Sequence, residues 1–104
     1  MKNDSLEITE KLEDNILRVT AKGRIDANTS EILQFRLDKA LKDGQKNIVL
    51  NMAQIEFLSS IGIRVILKTF KQAAADKGSF RIASPSEIVK NVLGMAALSE
   101  MLVL

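Results

Sequence analysis

The residues whose type and placement could carry chemistry begin with Ser59 and Ser60, in the run Ser59-Ser60-Ile61-Gly62 between two apolar stretches. A hydroxyl immediately before a helix accepts a hydrogen bond from a first-turn N–H, so capping is the ordinary role for a serine here. The same helix end offers unpaired N–H groups and the positive end of the helix dipole. A phosphoryl group on Ser60 would meet a favourable field while adding roughly −1.5 to −2 units of charge to the surface. Nucleophilic catalysis has no support. The 104 residues contain no His and no Cys, which removes histidine general bases, thiol nucleophiles, disulfides and the common zinc sites. No lysine or carboxylate follows the serines at a recognised catalytic spacing. The expectation is a binding protein without catalytic residues, metal or cofactor.

Three further features are candidates for contact. Asp26, at the end of Gly23-Arg24-Ile25-Asp26, reads either as a turn or capping residue or as a surface acid for a basic partner. Arg64, Lys68 and Lys71 form a basic face, which is either solvated or apposed to an acidic partner. Arg64 stands four residues after Ser60, one helical turn on, where its guanidinium could grip a phosphate through two parallel bonds. Phe35 falls opposite the apolar stripe of its own segment, so it is exposed at an interface or the stripe is misplaced.

These residues need a scaffold, and the patterning supplies one. Leu6, Ile8 and Leu12 alternate, and after Glu13-Asp14-Asn15 the stretch 16–21 continues with Leu17 and Val19, which reads as an antiparallel hairpin. Residues 46–52 (KNIVLNM) suit a buried central strand ending before the polar Gln54-Ile55-Glu56, and 80–83 and 101–104 read as two more strands. A helix over 29–43 carries Leu33, Leu37, Ala40 and Leu41 on one face, with Asn28 and Glu31 as its capping pair and Gly44 as its stop. A second, over 61–76, has the stripe Ile63, Ile66, Leu67, Phe70 and Ala74, with Gln72 among the wet residues, and stops at Gly78. Ser84-Pro85-Ser86-Glu87 predicts a third helix capped by Ser84 and running to about Leu93, with a short turn over 96–100. Only residues 1–4 read as disordered.

The alternation of elements predicts an α/β fold: one domain over 1–104, with helices packed on a mixed, mainly parallel sheet. The serines then lie at the carboxyl end of a parallel strand, where such folds place their sites. Apolar residues at 46% and charged residues at 27% fit a globular chain able to bury roughly two-thirds of its surface. With 15 Lys+Arg against 13 Asp+Glu, scattered together, no nucleic-acid footprint emerges. No stretch approaches the ~20 apolar residues of a membrane helix. The polar, acidic start does not resemble a secretory signal, so the cytoplasm is the expected location.

Two segments together carry a resemblance. Gly23-Arg24-Ile25-Asp26-Ala27-Asn28-Thr29 is similar to the G-x-L/I-D-x-x-T element of the STAS family, named for sulfate transporters and anti-sigma factor antagonists. Ile48-Val49-Leu50-Asn51-Met52, followed by Phe57-Leu58-Ser59-Ser60-Ile61-Gly62-Ile63-Arg64-Val65-Ile66-Leu67, is similar to that family's strand, switch loop and helix. The likeness extends over nearly the whole chain. It implies a STAS-like domain acting as an anti-sigma factor antagonist, which holds a serine-kinase anti-sigma factor until the kinase phosphorylates the serine at the helix entrance. Ser60 matches that serine, with Ser59 the secondary acceptor, and Asp26 matches the family's acid near the switch surface. The family motif Asp-Ser-Ser/Thr-Gly departs here to Ser59-Ser60-Ile61-Gly62. The partner-binding surface implied comprises Asp26, Ser59, Ser60, Gly62 and Arg64, extended by Phe35. A monomer is expected, with weak dimerisation as its alternative. The competing reading under the same fold is a regulatory or scaffold subunit of a transporter or signalling complex.

Overall fold

A computed structural model of the protein describes residues 6–95 and 102–103; the expectations for 1–4 and 96–100 fall outside that range. Strand β1 (Leu6–Glu13) turns through Asp14 and Asn15 into the antiparallel β2 (Ile16–Ile25). Both turn residues have positive φ, 52° and 66°, as a two-residue type I′ hairpin requires. Then follow α1 (Thr29–Lys42), β3 (Asn47–Leu58), α2 (Ser60–Ala75), β4 (Ser79–Ala83), α3 (Glu87–Met95) and β5 (Leu102–Val103). The sheet order is β1-β2-β3-β4-β5, antiparallel only between β1 and β2. Each parallel neighbour is reached through a helical crossover. The mixed, mainly parallel sheet expected from the alternation is what forms.

The core lies on one face of the sheet. Leu17, Val19 and Ala21 of β2, Ile48, Leu50 and Met52 of β3, and Phe80 and Ile82 of β4 are buried, together with Leu33, Leu37 and Ala40 of α1. Residues between them in the strands, such as Arg18, Thr20, Val49 and Arg81, alternate onto the other face and are exposed or half-buried.

Strand β3 is longer than its pattern suggested, running six residues past Met52. Its pairing with β2 shifts twice: Thr20 opposes Asn51 but Lys22 opposes Gln54, and Gly23 opposes Ile55 but Arg24 opposes Phe57. Each shift inserts one extra residue in β3, as a bulge does. The buried positions there are consequently Met52, Ile55 and Leu58, three apart instead of two. A search for alternation stops at such a segment.

Helix α2 begins at Ser60, one residue before the expected start, and its buried face is Gly62, Val65, Ile66, Thr69 and Ala73. The expected stripe is therefore turned. Ile63, Leu67 and Phe70 flank the core half-buried, and Ala74 is exposed. Large apolar residues dominate the periodic signal, but small ones line the close contact of α2 with the sheet and with α1. The Thr69 hydroxyl is accommodated by donating to the Val65 carbonyl at 2.8 Å.

Ser84 does not cap α3: it has φ 50°, and Ser86 takes that place. The Ser86 hydroxyl accepts from the Val89 N–H (3.3 Å) and donates to the Ile55 carbonyl (2.8 Å), while its own N–H donates to the Met52 carbonyl (3.2 Å). These bonds tie α3 to the stretch of β3 beyond the end of β4, and Val89 and Leu93 are fully buried. The helix continues through Gly94 to Met95.

At the start of β4, Gly78 donates to the Ala73 carbonyl (2.7 Å) and Ser79 to the Lys46 carbonyl (2.8 Å). A Cβ added at Gly78 would strike the Lys46 carbonyl, lying 2.7 Å from its carbon atom. Glycine is required there by the close approach of two backbones.

Candidate functional site

The two motif segments meet where β2 and β3 end. Ile25 pairs with Leu58, and the Ser59 N–H donates to the Ile25 carbonyl at 2.9 Å. Asp26 and Ser59 therefore leave the sheet side by side, one leading into α1 and the other into α2.

Asp26 is held by a reciprocal cap. Its Oδ1 accepts from the N–H groups of Asn28 (3.0 Å) and Thr29 (2.9 Å). The Thr29 hydroxyl accepts from the Asp26 N–H (2.8 Å) and donates to the Arg24 carbonyl (2.7 Å), with Asp26 Oδ1 a second acceptor at 3.1 Å. This is a capping box with threonine as the reciprocating residue. Asn28, expected to cap α1, instead has helical dihedrals and makes no side-chain cap bond. The Thr29 N–H is the largest influence lowering the Asp26 pKa below its ordinary 3.8; partial desolvation opposes it, and the Thr29 hydroxyl, Asn28 N–H and Arg24 charge reinforce it.

A lowered carboxylate pKa stabilises the fold above the unfolded-state value and loses that contribution as pH falls through the folded value. The window is thus at and below pH 3.8. Asn caps as well as Asp but does not titrate. Asp26→Asn is expected to leave the melting temperature at pH 7 near wild type and to make the decline of stability below pH 4 shallower, as thermal melts across pH will show.

The two serines divide their work. Ser59 is the N-cap of α2: its backbone is extended, and its Oγ accepts from the Gly62 N–H at 3.1 Å. Its carbonyl accepts from the Ile63 N–H at 3.0 Å. Ser60 is the first helical residue and is exposed. Its N–H and that of Ile61 are the first-turn donors left for solvent or a ligand. The capping role, which a helix starting at Ile61 would give to Ser60, falls instead to Ser59 because α2 begins one residue earlier. Ser59→Ala is expected to cost about 1 kcal/mol, a fall in melting temperature of roughly 4–8 °C, whereas Ser60→Ala should stay within about 0.5 kcal/mol of wild type. Denaturation of the two variants side by side measures both.

Gly62, grouped by sequence with the contact residues, is buried. A Cβ there would lie 2.6 Å from Ile25 Cγ2 and 2.7 Å from Leu58 Cδ1. Its contribution to the fold is to seat the first turn of α2 on the strand ends. Arg64 is exposed on α2, and with Ile61 and Gln34 it lines a cavity between α1 and α2. Phe35 is 67% exposed, so the α1 stripe was placed correctly. It lines a neighbouring cavity with Lys68 and Gln72, further along the α1–α2 junction than Ser60.

Some surface residues escaped the sequence reading. Ile61, beside Ser60, is 42% exposed; its only signal was a large apolar residue outside the expected stripe. Arg24 stacks over the Phe57 ring at 4.5 Å, giving a cation–π pair beside Asp26. That pair depends on the second register shift of β3, which the sequence did not reveal. Among the described residues no helix is long and apolar enough to cross a membrane, and no acidic or His cluster could hold a metal ion.

Comparison with known proteins gives a consistent picture. The family profile described as STAS domain matches residues 7–104. The anti-sigma F factor antagonist of Paenibacillus polymyxa is 27% identical over 95 residues, covering 90% of this chain and 81% of that protein. Among solved structures, the anti-sigma factor antagonist SpoIIAA in its unphosphorylated form superposes with TM-score 0.83 at 18% identity, over 93% of this chain and 86% of that one. The Bacillus cell fate determinant SpoIIAA in its phosphorylated form gives TM-score 0.77 at 17% identity, over 93% and 89%. At such identities the structural likeness is one of fold.

Proposed function

This chain belongs to the STAS domain family, and on that premise we propose that it is an anti-sigma factor antagonist, a binding module and not an enzyme. Unmodified, it captures an anti-sigma factor serine kinase; phosphorylated at Ser60, it lets the kinase go. The observation that carries this reading is the exposed Ser60 hydroxyl, relieved of capping by Ser59 and set at the helix entrance beside the Asp26 box. The names of the relatives support it: one is an anti-sigma F factor antagonist, and the SpoIIAA fold is known both with and without phosphate.

The departures from the family motif are compatible with this chemistry. Serine caps a helix as well as aspartate does, so Ser59 in the acid's place keeps the first turn of α2 intact. Ile61 in place of a hydroxyl adds exposed apolar surface next to Ser60, which suits a protein contact. A phosphate at Ser60 would carry its charge close to the ionised Asp26, and the partner would meet two adjacent anions where it had met one.

The test combines the purified chain with the anti-sigma factor kinase of the same cell and ATP. A complex should form before phosphorylation and dissociate after it, with mass spectrometry placing the phosphate on Ser60. Phosphate on Ser59 with Ser60 clean, or no complex with the unmodified chain, contradicts the proposal.

A further inference from the structure

The α1–α2 junction holds a groove that the switch at Ser60 does not account for. One cavity of about 670 Å³ runs along α2 beside Ile61, Arg64 and Lys71, and a second of about 700 Å³ lies against Phe35. Both are lined by Lys68 and Gln72, so they form one channel. At 1.5 Å per residue, the stretch from Ile61 to Asp76 is about 23 Å long, room for a helix of roughly four turns.

The charge along this channel is divided: the charged residues lining the cavity beside Ile61 are all cations, whereas the cavity against Phe35 is also lined by Asp38, Asp43 and Asp76. Helix α2 carries Arg64, Lys68 and Lys71 and no acid. Of the other helix cations, Arg36 pairs with Glu10, Lys39 with Asp43 and Lys90 with Glu87, while Lys42 has no carboxylate among the described residues. Arg64, Lys68 and Lys71 have none among the described residues. Of the acids at the far end, Asp43 is paired with Lys39 (2.9 Å), while Asp38 and Asp76 accept from the uncharged amides of Gln34 (2.8 Å) and Gln72 (3.2 Å), so the cationic seat lies toward Ile61. Exposed apolar side chains stand along the groove, Ile61 at 42% exposure and Phe35 at 67%.

From this we infer that the groove seats an acidic, amphipathic helix of the partner protein, whose apolar stripe covers Phe35 and Ile61 and whose carboxylates meet Arg64, Lys68 and Lys71. Helix-in-groove docking needs an apolar lane for anchors at helical spacing, and the cations fix the sign of the flanking residues. The inference deepens the proposed function and rests on it for the partner's identity. It places the affinity of the complex on the groove and leaves its control to Ser60.

Two measurements test it. In the first, the kinase is titrated with wild type, the Lys68→Glu/Lys71→Glu double variant, Phe35→Ala, and Lys22→Glu as an exposed control on β2. The double variant should bind about tenfold or more weakly, Phe35→Ala should also weaken binding, and Lys22→Glu should match wild type. The wild-type affinity should fall with added salt. In the second, the isotope-labelled chain is followed by NMR while a synthetic helical peptide with a leucine stripe and flanking glutamates is added, and then its lysine-for-glutamate analogue. Only the acidic peptide should shift the amides of Phe35, Ile61, Lys68 and Lys71.

If the kinase binds, is released by Ser60→Asp, and ignores both groove variants, the proposed function stands and the groove inference falls. If the kinase never binds but the acidic peptide occupies the groove, the reverse holds. Equal shifts with both peptides, shifts with neither, or the same shifts produced by raising the chain's own concentration overturn the inference, the last assigning the groove to a second copy.

Discussion

Ser60→Asp is expected to weaken binding of the anti-sigma factor kinase by about 100-fold or more, a loss on the scale of an unpaired charge desolvated at an interface. The physical reason is local. Position 60 is exposed at the first residue of α2, and the Asp26 carboxylate follows the neighbouring strand. A second anion there must be desolvated against a surface that had met one carboxylate and a neutral hydroxyl, with no partner provided for its charge. Fold stability should move the other way: an acid in the first turn of a helix gains about 0.3–1 kcal/mol from the dipole. Calorimetric titration should therefore show lost affinity while thermal melting shows an unchanged or higher midpoint. Ser60→Ala, which removes the phosphate acceptor without adding charge, should bind whether or not kinase and ATP are present. Retained affinity in Ser60→Asp would place the interface elsewhere, and a lowered melting point in that variant would trace the loss to misfolding.

Gly78→Ala is expected to cost roughly 2–4 kcal/mol, a large share of the 5–15 kcal/mol that usually holds a domain of this size together. The added methyl would meet backbone, not a side chain that can swing away. The Lys46 carbonyl it strikes also accepts the Ser79 N–H at 2.8 Å, so moving it opens the start of the β3–β4 pairing, where Asn47 stands opposite Ser79. Replacing glycine by alanine restricts the unfolded chain and returns only about 0.4–1 kcal/mol. Thermal denaturation should give a midpoint lower by roughly 10–30 °C. A midpoint within a few degrees of wild type would mean that the α2–β4 turn relaxes more easily than its geometry implies.

Sequence reading was most successful where one rule acted alone. The hairpin, the three helices and the parallel order followed from alternation and helical spacing, and of the two readings left open for Phe35, exposure opposite Leu33 and Leu37 is the one that holds. It failed where two rules competed. The end of β3 was missed because two register shifts change the spacing of Met52, Ile55 and Leu58 from two to three. The α2 face was turned because Gly62 and Ala73 pack closely but contribute little to an apolar pattern. Each cap was one of several nearby candidates, and tertiary contacts decided: Ser86 over Ser84 because β3 offers it carbonyls, and Asp26 over Asn28 because Thr29 answers it. At the site, the juxtaposition of Asp26 and the serines was inferable from topology. The Arg24–Phe57 stack was not, since it depends on the same shifted register.

The separation of cap from acceptor also bears on how much of this protein a cell would contain. A change of 1–2 kcal/mol in stability can alter the steady-state level of a protein several-fold, because unfolded chains are continuously removed. Were the Ser59 hydroxyl both cap and phosphate acceptor, each round of modification would disturb the bond to the Gly62 N–H and mark the modified copies for faster turnover. Under the proposed assignment, modification at Ser60 leaves that bond intact, so the modified form would be no less stable than the unmodified one. The total pool would then be spared loss of its modified copies while its composition changes, and would return to its starting state on dephosphorylation without new synthesis.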